Sequence, residues 1–192
     1  FNGFFGILWA IEVKGERLKK IEPMPQIRPV YPMVSFVVPA YNEENNIMSC
    51  VNSLFKCAVK YRGPSEIIII DDGSTDNTYD VAWATIDSKQ RELPHIRAKV
   101  VRHTASLGRA EAIRTGVNKA MGEYIAIVDT KTFCDPAELI RLVDSAYVAD
   151  RMVVNHYVHP SINAKTVAPT TTVRLYHAGT LRRLLEKQEV GI

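Results

Sequence analysis

The sequence predicts an α/β fold with a mostly parallel sheet flanked by helices, and three patterns support this prediction. Short runs of β-branched residues alternate with longer amphipathic stretches, which is typical of βαβ units. Four consecutive isoleucines at 67–70 indicate a strand covered on both faces, as strands of parallel sheets are. A chain of 192 residues with 46% hydrophobic and 23% charged residues can bury one such core.

The first half of this pattern contains two strand–helix units. A strand at 34–38 is expected to end at Pro39, because proline cannot donate a sheet hydrogen bond. The stretch 44–60 has apolar residues every three or four positions, which predicts an amphipathic helix. After the isoleucine-rich strand at 66–70, a turn rich in glycine and serine leads into a second helix at 76–88.

The second half continues the alternation. A third strand near 99–102 precedes a glycine-marked turn and a helix at 109–121, and a fourth strand occupies 124–128. Pro136 fits the first turn of a helix that runs to residue 149, because its missing N–H is not needed there. The later candidates are strands at 152–157 and 171–176 and a terminal helix from Thr180.

The first 32 residues differ in character from the rest. Residues 1–13 are apolar but shorter than the about 20 residues that cross a bilayer, and four cations follow within 14–20. Two interpretations stay open, a membrane anchor or interfacial helix, and a helix packed on its own domain or on a partner. Residues 21–32 contain four prolines and predict an extended linker. We therefore expect a segment and linker at 1–32 and a single α/β domain at 33–192.

Charge and cysteine content argue against a nucleic-acid-binding protein and against a disulfide-bonded one. A formal net charge of +3 without a dense basic block does not indicate nucleic-acid binding. Cys50, Cys57 and Cys134 form no CxxC pair, and the first two lie about 10 Å apart along a predicted helix, too far for a disulfide. We expect reduced, packing cysteines in a reducing compartment, and a membrane-associated location at a cytoplasmic face or in an organelle interior.

Polar residues follow three of the predicted strands at their carboxyl ends, where open α/β sheets bind ligands. Tyr41 and Glu43 follow the first strand, Asp71 and Asp72 the second, and Asp129 the strand at 124–128. Because the carboxyl ends of parallel strands meet at one edge, we expect these side chains to lie on one rim.

The acids and arginines near this rim each have two interpretations. The segment that begins with Asp71 and Asp72 makes a good turn and helix cap, whereas an ionised carboxylate there could accept the imide N–H of uracil or a ribose hydroxyl. Gly108 and Arg109 stand at the start of a helix whose N–H groups favour anions. Arg114 either lies on a solvated helix face or pairs with a phosphate or a rim carboxylate.

Three segments in series resemble the successive blocks of family 2 glycosyltransferases. They are VSFVVPAYNEENNI at 34–47, IIIIDDGSTDNT at 67–78 and LGRAEAIRTGVNKAMGEYIAIVDT at 107–130. The resemblance covers roughly residues 33–145 and is nearest in style to the polyprenyl- and dolichyl-phosphate hexosyltransferases. It implies the GT-A nucleotide-diphospho-sugar transferase fold with a Rossmann-like sheet, a nucleotide half at 33–131 and a short acceptor half at 132–192.

The resemblance also implies roles for individual residues. Pro39, Ala40, Tyr41 and Glu43 would line the nucleoside pocket, Asp72 would meet the base with Asp71 beside it, and Arg109 stands where such enzymes often have a lysine. The donor would be a UDP or GDP sugar and the acceptor a lipid phosphate or a glycan. With Arg114, the candidate binding residues are Pro39, Ala40, Tyr41, Glu43, Asp71, Asp72, Arg109, Arg114 and Asp129.

The metal-binding motif of the family departs from its usual form. By the resemblance, Asp129 would be the first acid of the Asp-x-Asp motif, whose acids hold Mg²⁺ or Mn²⁺ against the donor diphosphate. This chain has Lys131 at the second acid's position, and its ammonium group would repel that ion. Lys131 could supply one positive charge to the phosphates itself. Asp135 could lend a carboxylate or cap the helix that begins at Pro136.

The sequence assigns no general base for an inverting transfer. His156, His159 and His177 have suitable chemistry, and each could equally be structural. Two functions stay open, an active glycosyltransferase at a membrane, and a catalytically degenerate domain that serves as a structural or interaction subunit of a larger membrane-associated assembly. A nucleotidyltransferase is not favoured, because the loop 39–42 is not glycine-rich and basic.

Overall fold

The computed structural model describes residues 31–61, 63–131, 136–149 and 173–189. Within these ranges five strands alternate with five helices. In chain order they are β1 Val34–Ala40, α1 Glu44–Tyr61, β2 Ser65–Asp71, α2 Thr78–Glu92, β3 Arg97–Arg102, α3 Arg109–Lys119, β4 Tyr124–Val128, α4 Pro136–Ala149, β5 Val173–His177 and α5 Ala178–Glu189. The strand candidate at 152–157 lies outside the described residues.

The five strands form one sheet in the order β3-β2-β1-β4-β5. β1 pairs in parallel with β2 and β4, and β2 pairs in parallel with β3. β5 is antiparallel to β4. The prediction of a mostly parallel sheet flanked by helices is therefore confirmed, and the carboxyl ends of β1 to β4 meet at one edge.

β1 is two residues longer than the sequence predicted, because Pro39 lies inside it. Pairing with β2 continues to Ala40 opposite Asp71, whereas pairing with β4 ends at Val37 opposite Ile127. Pro39 thus stands beyond the last residue of β1 that is paired with β4. A missing N–H is tolerated there, because no ladder bond to β4 requires it.

The isoleucine run of β2 divides between two apolar layers. Ile67 and Ile69 belong to the layer formed with α1, α2 and α4, and Ile68 and Ile70 belong to the layer formed with α3 and α5. None of the four side chains is exposed. Each contributes about 1.5–3 kcal/mol to folding by leaving water. The prediction of a strand covered on both faces is confirmed, and the alternation of side chains along the strand explains it.

A buried carboxylate joins the strands at the edge opposite their carboxyl ends. Glu66 of β2 is 2% exposed and accepts hydrogen bonds from Ser35 Oγ at 2.7 Å and from the N–H of Met121 at 2.6 Å. Lys99 Nζ of β3 lies 3.8 Å from its other oxygen. Ser35 Oγ in turn accepts from the N–H of Gly122 at 2.8 Å. These contacts fix β1, β2, β3 and the turn before β4 relative to one another.

Two helix starts differ from the sequence prediction. α2 begins at Thr78 rather than at residue 76, because the Asp76 carboxylate accepts the N–H of Thr78 and so remains outside the helix. α5 begins at Ala178, directly after β5. In the described part of the chain no helix is long and apolar enough to cross a membrane. Cys50 and Cys57 are buried in the core and are not joined in a disulfide.

Candidate functional site

The strand order reverses between β1 and β4, and a cleft of about 340 Å³ opens at the carboxyl ends of these strands. The chain runs from β1 through β2 to β3 on one side, and β4 then returns to the other side of β1. Loops diverge at such a switch point and leave a crevice for a ligand. Seven of the nine candidate binding residues line the cleft, and Lys131 lines it as well. The seven are Pro39, Ala40, Tyr41, Glu43, Asp72, Arg109 and Asp129.

The loop after β1 and the loop after β2 are held together by reciprocal hydrogen bonds. The N–H of Asn42 donates to Ser74 Oγ at 3.0 Å, and Asn42 Oδ1 accepts the N–H of Thr75 at 2.9 Å. The N–H of Glu43 donates to Thr78 Oγ1 at 2.8 Å. Asn42 has a φ of 52°, a left-handed conformation that asparagine tolerates better than most residues. This pairing fixes the wall of the cleft that carries Tyr41 and Glu43.

The first turn of α1 is capped from the neighbouring loop. Asp76 Oδ2 accepts the N–H of Glu44 at 3.2 Å, and Glu44 Oε2 accepts the N–H of Asn77 at 3.0 Å. Burial alone raises the pKa of Asp76, but hydrogen bonds from Thr78 and Glu44 outweigh burial and lower it. Much of the polar sequence in these two motifs therefore acts on the chain itself, although the residue at the N-cap of α2 is Asn77, which makes no side-chain cap hydrogen bond.

The two adjacent aspartates after β2 have different surroundings. Asp71 is fully buried and accepts the N–H of Ser74 at 3.2 Å. Its other oxygen lies 3.1 Å from Arg102 Nε, and that guanidinium is 5.1 Å from the ring centre of Tyr79. Asp71 is not among the residues that line the cleft, and its side chain faces Arg102 instead. Asp72 is the member of the pair that faces the cleft.

Asp72 is 3% exposed and holds the loop between β3 and α3 with both carboxylate oxygens. Oδ1 accepts from His103 Nδ1 at 2.7 Å and from the N–H of Leu107 at 3.0 Å, and Oδ2 accepts from Ser106 Oγ and the N–H of Gly108, each at 2.8 Å. Burial alone raises the pKa of Asp72, but these four hydrogen bonds outweigh it and lower the pKa below the ordinary aspartate value. Asp72 is thus ionised at neutral pH.

These contacts change the expectation that the Asp72 carboxylate binds the base of the nucleotide. A carboxylate has about four acceptor positions, and the chain itself supplies four donors to this one. A base N–H could bind Asp72 only by replacing one of them. Gly73 supports the same arrangement, because its φ is 68° and a Cβ there would lie 2.5 Å from the carbonyl carbon of Ala105.

Two ion pairs flank the mouth of the cleft. Arg109, at the start of α3, places a guanidinium nitrogen 3.2 Å from Asp129 Oδ2. Lys131 Nζ lies 3.7 Å from Glu43 Oε1, and the N–H of Lys131 donates to Asp129 Oδ1 at 3.2 Å. Near these carboxylates, burial is the main cause that raises the pKa of the Cys50 thiol to about 12, and the negative charges of Asp129 and Glu43 add to it. This thiol therefore stays neutral.

The residues at the Asp-x-Asp position do not fit a divalent cation. Both oxygens of Asp129 are engaged, one by Arg109 and one by the N–H of Lys131. The ammonium group of Lys131 lies at the same mouth and would repel the ion. No group of three or more His, Cys, Asp or Glu side chains able to hold a metal occurs within the described ranges.

The remaining candidates lie away from the cleft or outside the described residues. Arg114 is five positions along α3 from Arg109, nearly half a turn round the helix, where its Nε lies 3.3 Å from Glu111 Oε1. His177 lies beside the amino end of β4, away from the cleft, with its ring centre 5.6 Å from that of Tyr124. Asp135, His156 and His159 are not among the described residues.

Two polar side chains that bind Asp72, those of His103 and Ser106, were missed by the sequence analysis. His103 joins Asp72 to α3, because its Nε2 is hydrogen-bonded to Thr115 Oγ1 at 3.0 Å. Ser106 lines the cleft and bonds Asp72. His103 directly follows β3, so the rule that selected polar residues after strand ends would have found it. Ser106 carries no comparable signal, because only the folded loop brings it to Asp72.

The chain matches a family of known proteins over most of its length. The sequence model described as glycosyl transferase family 2 matches residues 35–191. The chain belongs to glycosyl transferase family 2. The resemblance of the three sequence blocks to this family is thereby confirmed.

Relatives of this family 2 chain include two bacterial proteins. It is 31% identical over 164 residues to the uncharacterized glycosyltransferase EpsJ of Bacillus subtilis (strain 168). That match covers 79% of this chain and 45% of the relative. It is 30% identical over 129 residues to the undecaprenyl-phosphate 4-deoxy-4-formamido-L-arabinose transferase of Serratia proteamaculans (strain 568), covering 67% and 36% of the two chains. The chain therefore spans less than half the length of these relatives.

Solved structures show that the fold of this family 2 chain is GT-A. The mannosyltransferase PcManGT of Pyrobaculum calidifontis, in complex with GDP-Man and Mn²⁺, superposes with a TM-score of 0.64 at 21% identity, covering 81% of this chain and 47% of that one. The S. aureus TarS 1-349 structure in complex with UDP gives a TM-score of 0.52 at 22% identity, covering 79% and 48%.

Proposed function

We propose that this chain is the donor-binding part of a glycosyltransferase that moves a hexose from a UDP or GDP sugar to a lipid phosphate or a glycan. The observation that carries the proposal is the cleft at the switch point, because Tyr41, Asp72 and Asp129 reach it from three separate strand ends. Structural neighbours bound to GDP-Man and to UDP support either donor. The undecaprenyl-phosphate transferase relative supports a lipid-phosphate acceptor.

The nucleoside occupies the wall formed by β1 and its following loop. Pro39, Ala40 and Tyr41 offer an apolar surface, and the Tyr41 side chain is 48% exposed and available to stack on a base. Glu43 stands on the same wall, where its carboxylate can accept from a ribose hydroxyl. Asp72 fixes the opposite wall through the loop that precedes α3.

The diphosphate lies between α3 and the segment after β4. The amino end of α3 carries partial positive charge, and Arg109 adds a full one at the same end. We assign the nucleotide half to residues 33–131 and the acceptor half to 132–192. Residues 1–32 would bring this domain to a membrane surface or a partner subunit.

A second candidate function is a degenerate domain that binds no donor and serves as a structural subunit. The two ion pairs at the cleft mouth favour it, because each cation there already has a carboxylate partner. The two candidates differ in whether an anionic nucleotide displaces these pairs.

Nucleotide titration separates the two candidates. With UDP, GDP and their sugars at 100 times the dissociation constant, the free energy of unfolding should rise by about 2.7 kcal/mol, which raises the melting temperature by several degrees. Calorimetric titration of the full chain would give millimolar or tighter binding. The absence of any thermal shift with every nucleotide would favour the structural subunit.

A pair of aromatic substitutions tests whether binding uses this cleft. Tyr41→Ala should weaken nucleotide binding about tenfold or more, because a stacked aromatic ring is lost. Trp83→Ala is the matched control, since Trp83 is 55% exposed but lines a different surface, between α2 and β3. Equal effects of the two substitutions would place the nucleotide elsewhere.

A further inference from the structure

We propose that Arg109 and Lys131 bind the donor diphosphate in place of a divalent cation. This inference rests on the proposed donor-binding function and specifies the chemistry of its phosphate subsite. Both side chains line the cleft, and they approach it from different elements, the start of α3 and the segment after β4. A ligand lying between those elements meets a cation on each side.

The charges match those of the missing ion. One divalent cation supplies two positive charges, and a lysine in place of the second acid of the Asp-x-Asp motif changes the charge there by the same amount. Arg109 adds a cation at a position where the resembled enzymes often have a lysine. The planar guanidinium of Arg109 can donate two parallel hydrogen bonds to phosphate oxygens, and the ammonium group of Lys131 acts as a point charge. The amino end of α3 adds partial positive charge beside Arg109. The positive charge that leaving-group stabilisation requires is therefore present in the chain itself.

Both cations can leave their present partners at small cost. The side chains of Arg109 and Lys131 are 57% and 71% exposed, and that of Asp129 is 42% exposed. The Arg109–Asp129 pair joins exposed groups and contributes little to stability, because water screens it well. Glu43 is only 18% exposed, but its other oxygen also accepts a hydrogen bond from Asn46 Nδ2 at 2.6 Å. A diphosphate offers more negative charge and more acceptor oxygens than either carboxylate. The present pairs thus hold the two cations at the cleft mouth until an anion replaces the carboxylates.

Binding of a divalent ion at the same place faces one main obstacle. The ion would displace Arg109 and the N–H of Lys131 from Asp129, which is a small cost because these groups are exposed. It would, however, approach the ammonium group of Lys131 without a second carboxylate from the Asp-x-Asp position. Since Mg²⁺ needs near-ideal octahedral oxygen geometry, this environment favours the two side chains over the ion.

Calorimetric titration of the full chain with uridine, UDP, guanosine and GDP tests the proposal, with each titration run in EDTA and again in Mn²⁺. The preferred diphosphate should bind equally well, within about twofold, under the two conditions, and about tenfold or more tightly than its nucleoside. Arg109→Ala and Lys131→Ala should each remove most of that tenfold difference and leave nucleoside binding unchanged. Lys56→Ala, a lysine on the exposed face of α1, should change neither.

Lys131→Asp provides the opposite change, because it restores the second acid. In EDTA this variant should bind the diphosphate about tenfold or more weakly than the unmodified chain, and Mn²⁺ should recover the loss. If the unmodified chain instead needs Mn²⁺ for diphosphate binding, or if the two alanine variants bind normally, the proposal that Arg109 and Lys131 replace the divalent cation is wrong while the donor-binding function stands. If neither nucleosides nor diphosphates bind, both proposals fail.

Discussion

Replacing Asp72 with alanine is expected to lower the free energy of unfolding by about 3 kcal/mol and to weaken nucleotide binding about tenfold or more. The substitution removes the acceptor of four hydrogen bonds and leaves the N–H groups of Leu107 and Gly108 without their partner. The loop between β3 and α3 then keeps the backbone hydrogen bond from His103 to Asp71 but loses its contacts with the Asp72 side chain, and one wall of the cleft is held less firmly.

Urea unfolding and amide hydrogen exchange would measure the two parts of this result. The exchange of the Leu107 and Gly108 amides should accelerate in the variant. Asp87→Ala is the matched control, because Asp87 only pairs with Arg91 on the exposed face of α2 and should cost under about 0.5 kcal/mol. If Asp72→Ala were no more destabilising than Asp87→Ala, the carboxylate would not be holding the loop.

The loss of stability caused by Asp72→Ala has a defined pH dependence. The pKa of Asp72 is lowered in the folded chain, so its stabilisation is fully present above the unfolded value of about 3.9 and is lost as the pH falls through the folded value. The difference in stability between the unmodified chain and Asp72→Ala should therefore narrow below about pH 4. A difference that widened on acidification would contradict an ionised Asp72.

Gly116→Ala is expected to destabilise the fold by about 2 kcal/mol, even though alanine is the better helix former. A Cβ at Gly116 would lie 2.3 Å from Val37 Cγ1, and Val37 is fully buried in β1. α3 must move away from the sheet to accept the methyl group. Because Arg109 begins α3, the same movement should weaken nucleotide binding.

A double-mutant cycle identifies this contact as the cause. Val37→Ala alone should cost about 2 kcal/mol through the cavity that it leaves. In the double variant the methyl group added at Gly116 enters the space vacated by Val37 Cγ1, so the two losses should fall short of their sum by about 1 kcal/mol or more. Chemical unfolding of the four proteins gives this coupling energy. Strict additivity would show that the two positions do not meet.

Most of the fold could be predicted from the sequence, because hydrophobic periodicity reports burial directly. Four isoleucines in a row require cover on both faces, and the structure buries all four. The ends of the individual strands and helices were less predictable. Whether Pro39 ends β1 depends on how far β4 extends beside it, which is a property of the neighbouring strand and not of the proline.

The location of the candidate site was also predictable. Tyr41, Asp72 and Asp129 line one cleft because parallel strands place their carboxyl ends at the same edge. The different contacts of Asp71 and Asp72 were not predictable, since both are acids at adjacent positions. Only the folded chain shows that Asp71 meets Arg102 while Asp72 meets the loop before α3.

The sequence by itself determined the alternation of strands and helices from β1 to α4, the burial of the central strands, and the edge at which the polar motifs gather. These properties follow from local periodicity and from the direction of the strands. The tertiary structure alone decided that Arg109 faces Asp129, that Lys131 faces Glu43, and that Asp72 is saturated by its own chain. Such contacts join side chains from separate loops, and their geometry exists only after the sheet has brought the loops together.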